Sequence, residues 1–184
     1  MSKSPSRWGK FKVKETMTKR RVFYSFHYEK DNWRAAQVRN MGVVEGNTPV
    51  SDNDWEEVKK GGDKAIKNWI DEQLKGRSCT IVLIGEKTAG RKWINYEIEK
   101  SWNSEKGVVG IYIHNLKDKD GNQSKKGRNP FDDFTIKVNG VNKKLSNIVK
   151  AYDPPYTTST FVYDYIKNNL ASWVEEAIKI RNEY

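Results

Sequence analysis

Residues 79–101 read CTIVLIGEKTAGRKWINYEIEKS, and the order of elements inside them decides the fold. TIVLI (80–84) is a continuous apolar run, as expected for a strand covered on both faces. The loop EKTAGRK follows, and then a helical pattern. At about 100° per residue, Trp93, Ile94, Ile98 and Trp102 share one apolar half of the wheel. Asn95, Tyr96, Glu99 and Lys100 fill the polar half. Glu97 breaks this division. It falls inside the apolar arc, between Trp93 and Ile94, with Ser101 beside it. Two readings stand open: a carboxyl facing a cleft at the sheet edge and walled by Trp93, or a salt bridge to a neighbour such as Arg91.

Two more apolar runs, VFYSF (22–26) and VVGIYI (108–113), read as strands of the same kind. Helical patterns lie between them. Residues 29–40 gather Trp33, Ala36 and Gln37 on one weakly amphipathic face. Gly42-Val43-Val44 reads as a short second strand. Gly61-Gly62 breaks the chain, Asp63 offers an N-cap, and Ile66, Trp69, Ile70 and Leu74 mark a helical face. Strand–helix alternation of this kind predicts an α/β fold, an open and mostly parallel sheet with helices on both faces.

After residue 113 the pattern changes. Residues 115–133 are loop-like, and their DKDGN lacks the ligand spacing and terminal Glu of a calcium-binding loop. Asn139-Gly140 between IKV and VNK signals a two-residue hairpin. Residues 161–180 form a last helix with Val162, Tyr165, Ile166, Leu170, Trp173, Ala177 and Ile178 on one face. The expected organisation is a flexible basic tail over 1–20 and one domain over 21–184, with a core at 21–133 and an extension at 134–184.

Composition narrows the function. Charged residues make up 32% of the 184, and the mean hydropathy of −0.89 marks a polar chain. No apolar run approaches the roughly 18 residues of a membrane helix, and no signal-peptide pattern opens the sequence. A lone cysteine, Cys79, suits a reducing cytosol, so a cytoplasmic protein is expected. No CxxC or HxxxH pair is present, so no metal is expected. The net charge of +10 is unevenly spread. Residues 1–21 hold eight Lys/Arg against one acid and residues 114–150 nine against four, whereas residues 22–113 balance at fourteen each. A solvated charge run explains this better than a specific nucleic-acid surface. GxGxxG, Walker A and GxSxG motifs are all absent, which removes the usual dinucleotide oxidoreductases, NTPases and serine hydrolases.

In open α/β sheets, ligands collect at the carboxyl ends of the strands. Those ends carry Ser25-Phe26-His27, Gly85-Glu86 and His114-Asn115, so both histidines sit at strand exits. Either histidine alone reads as an ordinary exposed loop residue.

The segments FYSFHY (23–28), DWEEVKKGGDKAIKNWID (54–71) and CTIVLIGEKTAGRKWINYEIEKS (79–101) resemble the TIR-like proteins of bacterial Thoeris antiphage defence. IYIHNLKDKDGN and KGRNPFD extend the similarity to about residue 133, and it weakens beyond 135. The Trp93-x-x-x-Glu97 spacing also fits the wider catalytic TIR pattern. The resemblance implies a flavodoxin-like TIR fold with the hairpin and last helix as a C-terminal extension. It implies an enzyme that cleaves the nicotinamide–ribose bond of NAD⁺, as substrate and with no cofactor, and makes a cyclic ADP-ribose-type signal. Glu97 takes the place of the catalytic glutamate. Ser25, Phe26, His27, Trp55 and Trp93 are expected around the substrate, although core packing explains Trp55 and Trp93 equally well. The implied partners are a separate effector protein that senses the product and a phage component as trigger, with room for a homo-oligomer. A non-catalytic TIR-like interaction module and a nucleoside deoxyribosyltransferase-like enzyme are the rival readings.

Overall fold

The computed structural model describes residues 18–184. The basic segment 1–17, most of the expected tail, lies outside the described residues. Four parallel strands form the central sheet: β1 (Val22–Ser25), β2 (Cys79–Ile84), β3 (Gly107–Tyr112) and β6 (Ala151–Tyr152), side by side in that order. Ser25 pairs with Val82 and Ile84 with Tyr112, so the carboxyl ends of the first three strands lie along one edge.

Every residue of β1, β2 and β3 is buried, because helices cover both faces. Alternation divides their side chains between two layers. Val22, Tyr24, Ile81, Leu83, Val109 and Ile111 pack beneath α1 (Tyr28–Arg39) and α5 (Ser159–Asn182). On the other face, Val82, Ile84 and Val108 meet α4 (Lys92–Asn103) through Ile94, Ile98 and Trp102. Phe23 meets α3 (Gly62–Leu74) through Ile66, Ile70 and Leu74. The chain therefore has the parallel, doubly covered sheet that strand–helix alternation requires. The hairpin also forms, β4 (Thr135–Val138) against β5 (Val141–Lys144), with Asn139 at φ 50° and Gly140 at φ 81° in its turn.

Four local readings change. First, Gly42-Val43-Val44 does not form a strand. Pairing at this edge of β1 is one parallel bridge, Arg21 with Glu45, after which the chain swings away. Second, the helix around Ile66 begins at Gly62 with Gly61 as its N-cap, so Asp63 sits in the first turn and pairs with Lys92 of α4.

Third, α1 buries Asp31, Arg34, Ala35 and Val38, whereas Trp33 is 58% exposed. A buried ion pair, Asp31 to Arg34 at 3.1 Å, occupies the face that hydropathy reads as polar. Fourth, α2 (Asp52–Lys60) is an element the apolar pattern did not show, started by Ser51, whose side chain accepts from the Asp54 amide at 3.1 Å. At the described end of the basic segment, Arg20 makes a two-pronged bond to Glu175 of α5 at 2.6 and 2.9 Å.

Candidate functional site

After β1 the chain runs out to the Glu45 bridge on one side, then returns on the other side as β2. The order reverses between them, which is where open α/β sheets hold ligands. Ser25 ends β1 there, and α4 lays its second turn across the same gap. The Ser25 hydroxyl donates to Glu97 Oε2 at 2.5 Å.

The odd position of Glu97 on the wheel now has a cause. Its arc of α4 faces the sheet through polar side chains as well as apolar ones. Ser101 donates to the Glu97 carbonyl at 2.6 Å, and with its one hydrogen committed it accepts from Thr80 of β2, also at 2.6 Å. These hydroxyls pin the helix turn that carries Glu97. No ion pair reaches Glu97 among the described residues, so the Arg91 salt bridge is not the answer. Burial pushes its carboxyl up to about 8, against the downward pull of the Ser25 hydrogen bond. The residue still presents an edge to open space: it is half-buried and lines a cleft of about 720 Å³.

That cleft brings together Phe26, His27, Trp55, Trp93 and Glu97, with Ser25 behind Glu97. All six residues singled out in the sequence therefore converge. Trp55 and Trp93 serve two purposes at once, since both line the cleft and both pack against the Phe23–Ile66–Ile70 cluster. Trp55 meets Trp69 edge-on at 5.6 Å between ring centroids, and Trp93 meets Tyr96 at 6.3 Å. His27 is buried, and desolvation together with the nearby Arg91 charge holds its imidazole below the usual histidine range. At neutral pH it is an uncharged wall of the cleft. The other strand-exit histidine, His114, belongs elsewhere: it is buried at the end of β3, edge-on to Tyr112 at 6.0 Å.

Sequence reasoning missed Tyr28, Arg39, Asn47 and Val50. These residues, together with Phe26, Trp55 and Glu97, line an adjoining cavity of about 230 Å³. Gly46 and Pro49, which weaken strand pairing, were the available signal.

The edge around the site depends on close backbone contacts. A Cβ on Gly127 would lie 2.1 Å from the Gly85 carbonyl, so the KGRN segment crosses directly over the exit of β2. The DKDGN turn closes on itself, with Asp118 Oδ1 accepting from the Asp120 and Asn122 amides at 2.9 Å each. Among the described residues, no group of three or more His, Cys, Asp or Glu is placed to hold a metal ion, and no helix is long and apolar enough to cross a membrane.

A parallel four-stranded sheet flanked by helices, with a last helix after it, is the architecture of a TIR-like fold. Comparison with known proteins makes this specific. The family described as "Thoeris protein ThsB, TIR-like domain" matches residues 23–118. A Bacillus cereus (strain MSX-D12) protein named "Putative cyclic ADP-D-ribose synthase ThsB1" is 40% identical over 131 residues, covering 68% of each chain. The chain belongs to the Thoeris ThsB family of TIR-like proteins.

Proposed function

We propose that the protein cleaves the nicotinamide–ribose bond of NAD⁺ and closes the remaining ADP-ribose into a cyclic signal. The observation that carries this reading is the Ser25–Glu97 pair, a desolvated carboxyl held on its sheet side and open to an aromatic cleft on the other. The name of the Bacillus cereus relative supports the same reaction class.

The chemistry follows from the substrate's charge. Nicotinamide in NAD⁺ is a cationic ring, and it leaves neutral with both electrons of the C1′–N bond, so it needs no general acid. Positive charge moves onto the ribose, giving an oxocarbenium-like transition state of the kind met in glycoside cleavage. A fixed carboxylate beside that carbon stabilises the developing charge. In the empty cleft Glu97 is largely protonated at neutral pH, because burial disfavours its charge. Arrival of a cationic ring reverses that preference, since an opposite charge nearby favours the carboxylate. The nucleophile that ends the reaction is a group of the same molecule, whose proton passes to the Glu97 carboxylate as the new bond to C1′ forms and is then released to solvent. Phe26, Trp55 and Trp93 exclude water and offer ring faces to the substrate.

In this reading NAD⁺ is the substrate and no cofactor takes part. The product acts on a separate effector protein, and a phage component provides the trigger in antiphage defence. Mass spectrometry after incubation with NAD⁺ tests it. The expected products are free nicotinamide and a compound lighter than ADP-ribose by one water. Intact NAD⁺ after incubation with phage-infected lysate would leave the interaction-module reading, and transfer from deoxynucleosides would point to a deoxyribosyltransferase.

A further inference from the structure

Helices α3 and α4 lie side by side on one face of the sheet and run in the same direction, because each returns the chain between parallel strands. Their contact carries a regular polar seam. Asp63, Lys67 and Asp71 of α3 are four residues apart, as are Lys92, Tyr96 and Lys100 of α4, so each set lies along one face of its helix. The two faces meet rung by rung. Lys92 donates to Asp63. Lys67 lies 5.5 Å from the centre of the Tyr96 ring. Lys100 donates to Asp71 Oδ2 at 3.0 Å, and the Tyr96 hydroxyl donates to the other oxygen, Oδ1, at 2.9 Å. Each rung joins residues 29 positions apart, as two parallel helices in a fixed register require.

Stability alone does not account for the seam. Its ion pairs reach water, and pairs of that kind contribute little. Direction is what they add. The apolar contacts beneath, Trp93 and Tyr96 against Phe23, Ile66 and Ile70, are non-directional and do not by themselves fix the rotation of α4 about its axis. Hydrogen bonds do. Thr80 and Ser101 grip α4 from the sheet, and Asp71 grips it from the flank. Glu97 follows Tyr96 directly and points about 100° further round the helix, at Ser25. A roll of α4 would carry its carboxyl off that hydroxyl.

We infer that Asp71 is a positioning residue for Glu97: by holding Tyr96 and Lys100, on either side of Glu97 in the chain, it stops α4 from rolling and keeps the carboxyl on Ser25. Asp71 itself does not line the cleft. The same seam ties together two of the cleft's walls, since Trp69 of α3 meets Trp55 edge-on and α4 carries Trp93. The effect of Asp71 on turnover rests on the NAD⁺ reading, but its hold on Glu97 does not.

Titration of the Glu97 carboxyl in the folded, ligand-free chain, followed by carbon-13 NMR, tests the hold, and NAD⁺ turnover tests its consequence. Asp71→Ala removes both bonds and Tyr96→Phe removes one. Glu72→Ala is the control, because it deletes the neighbouring acid, which pairs with Lys75 and not with α4. A rolled α4 lets water reach Glu97, so the midpoint should fall by about one pH unit in Asp71→Ala. It should fall less in Tyr96→Phe and stay put in Glu72→Ala, with all three melting near the wild type. Turnover by Asp71→Ala should drop about ten- to hundredfold, with Glu72→Ala unchanged. A folded Asp71→Ala protein with the wild-type midpoint, or with wild-type turnover, would overturn the assignment. Should Asp71→Ala not fold, Tyr96→Phe decides by the same two readings. Wild-type protein that leaves NAD⁺ intact contradicts the proposed reaction, and the Glu97 midpoints then judge Asp71 alone.

Discussion

Ser25 and Glu97 stand 72 positions apart in sequence, and the Ser25 hydroxyl donates to the Glu97 carboxyl at 2.5 Å. The bond joins the last residue of β1 to the second turn of α4 at the point where the strand order reverses. It pulls the Glu97 carboxyl toward ionisation, while burial pushes it up to about 8.

Activity should therefore climb with pH. If the carboxylate is the working form, kcat/KM for NAD⁺ rises as pH increases toward about 8, because it reports the free protein. The limb in kcat should sit at lower pH, since the bound cationic ring favours the carboxylate. Ser25→Ala removes the hydrogen bond that steadies it among the described residues. Its kcat/KM limb should move to higher pH, with a loss of about 3–10-fold at pH 7 that shrinks in alkali. A Ser25→Ala profile that overlays the wild type would show that the bond does not tune Glu97.

Stability should show the same carboxyl from the other side. Between pH 4.5 and about 8 the folded chain keeps a proton on Glu97 that the unfolded chain has lost. Stability from this group is fully present below 4.5 and is lost as pH rises through about 8. Glu97→Gln has no such proton, so its advantage over wild type should grow across that window, to a few kcal/mol at most. Melting curves of both proteins at pH 5 and pH 8 decide it. A difference that does not change with pH would mean a solvated carboxyl.

The buried pair on α1 gives a separate stability test. Asp31 and Arg34 are 2% and 4% exposed, and Arg34 also donates to the Leu116 and Asn122 carbonyls at 2.9 Å each. Arg34→Met strands a buried carboxylate and two carbonyls, a loss of about 3–5 kcal/mol. Adding Asp31→Asn should recover part of it. Denaturant midpoints give the measurement, and a loss below about 1 kcal/mol would show that water reaches the pair.

The reach of the sequence can be followed residue by residue. The three long strands were legible because both faces of each are covered, so their residues are apolar without interruption. The hairpin was legible from Asn139-Gly140, since few other pairs accept two positive φ angles. Glu97 was legible as a violation, one carboxyl in an apolar arc. What it faced was not, because Ser25 lies on another element and periodicity describes one element at a time. Trp33 was misread, and the Asp31–Arg34 pair went unseen, for a related reason: burial of a charge depends on a partner, not on hydropathy. β6 is two residues long, held partly by Tyr152 stacking on Trp173 at 4.3 Å, and carries no pattern to detect. The adjoining cavity lies where a strand does not form, and only Gly46 and Pro49 hint at it.

Nicotinamide release from NAD⁺ by wild type, Glu97→Gln and Glu99→Gln tests the role of Glu97 most directly. Glutamine keeps the shape at residue 97 and removes the charge, while Glu99 lies exposed two positions on, on the solvent side of α4. Release by Glu97→Gln should fall by about 10²–10³-fold in a folded protein, with Glu99→Gln close to wild type. A folded Glu97→Gln protein that releases nicotinamide at the wild-type rate would contradict the catalytic role of the Ser25–Glu97 pair.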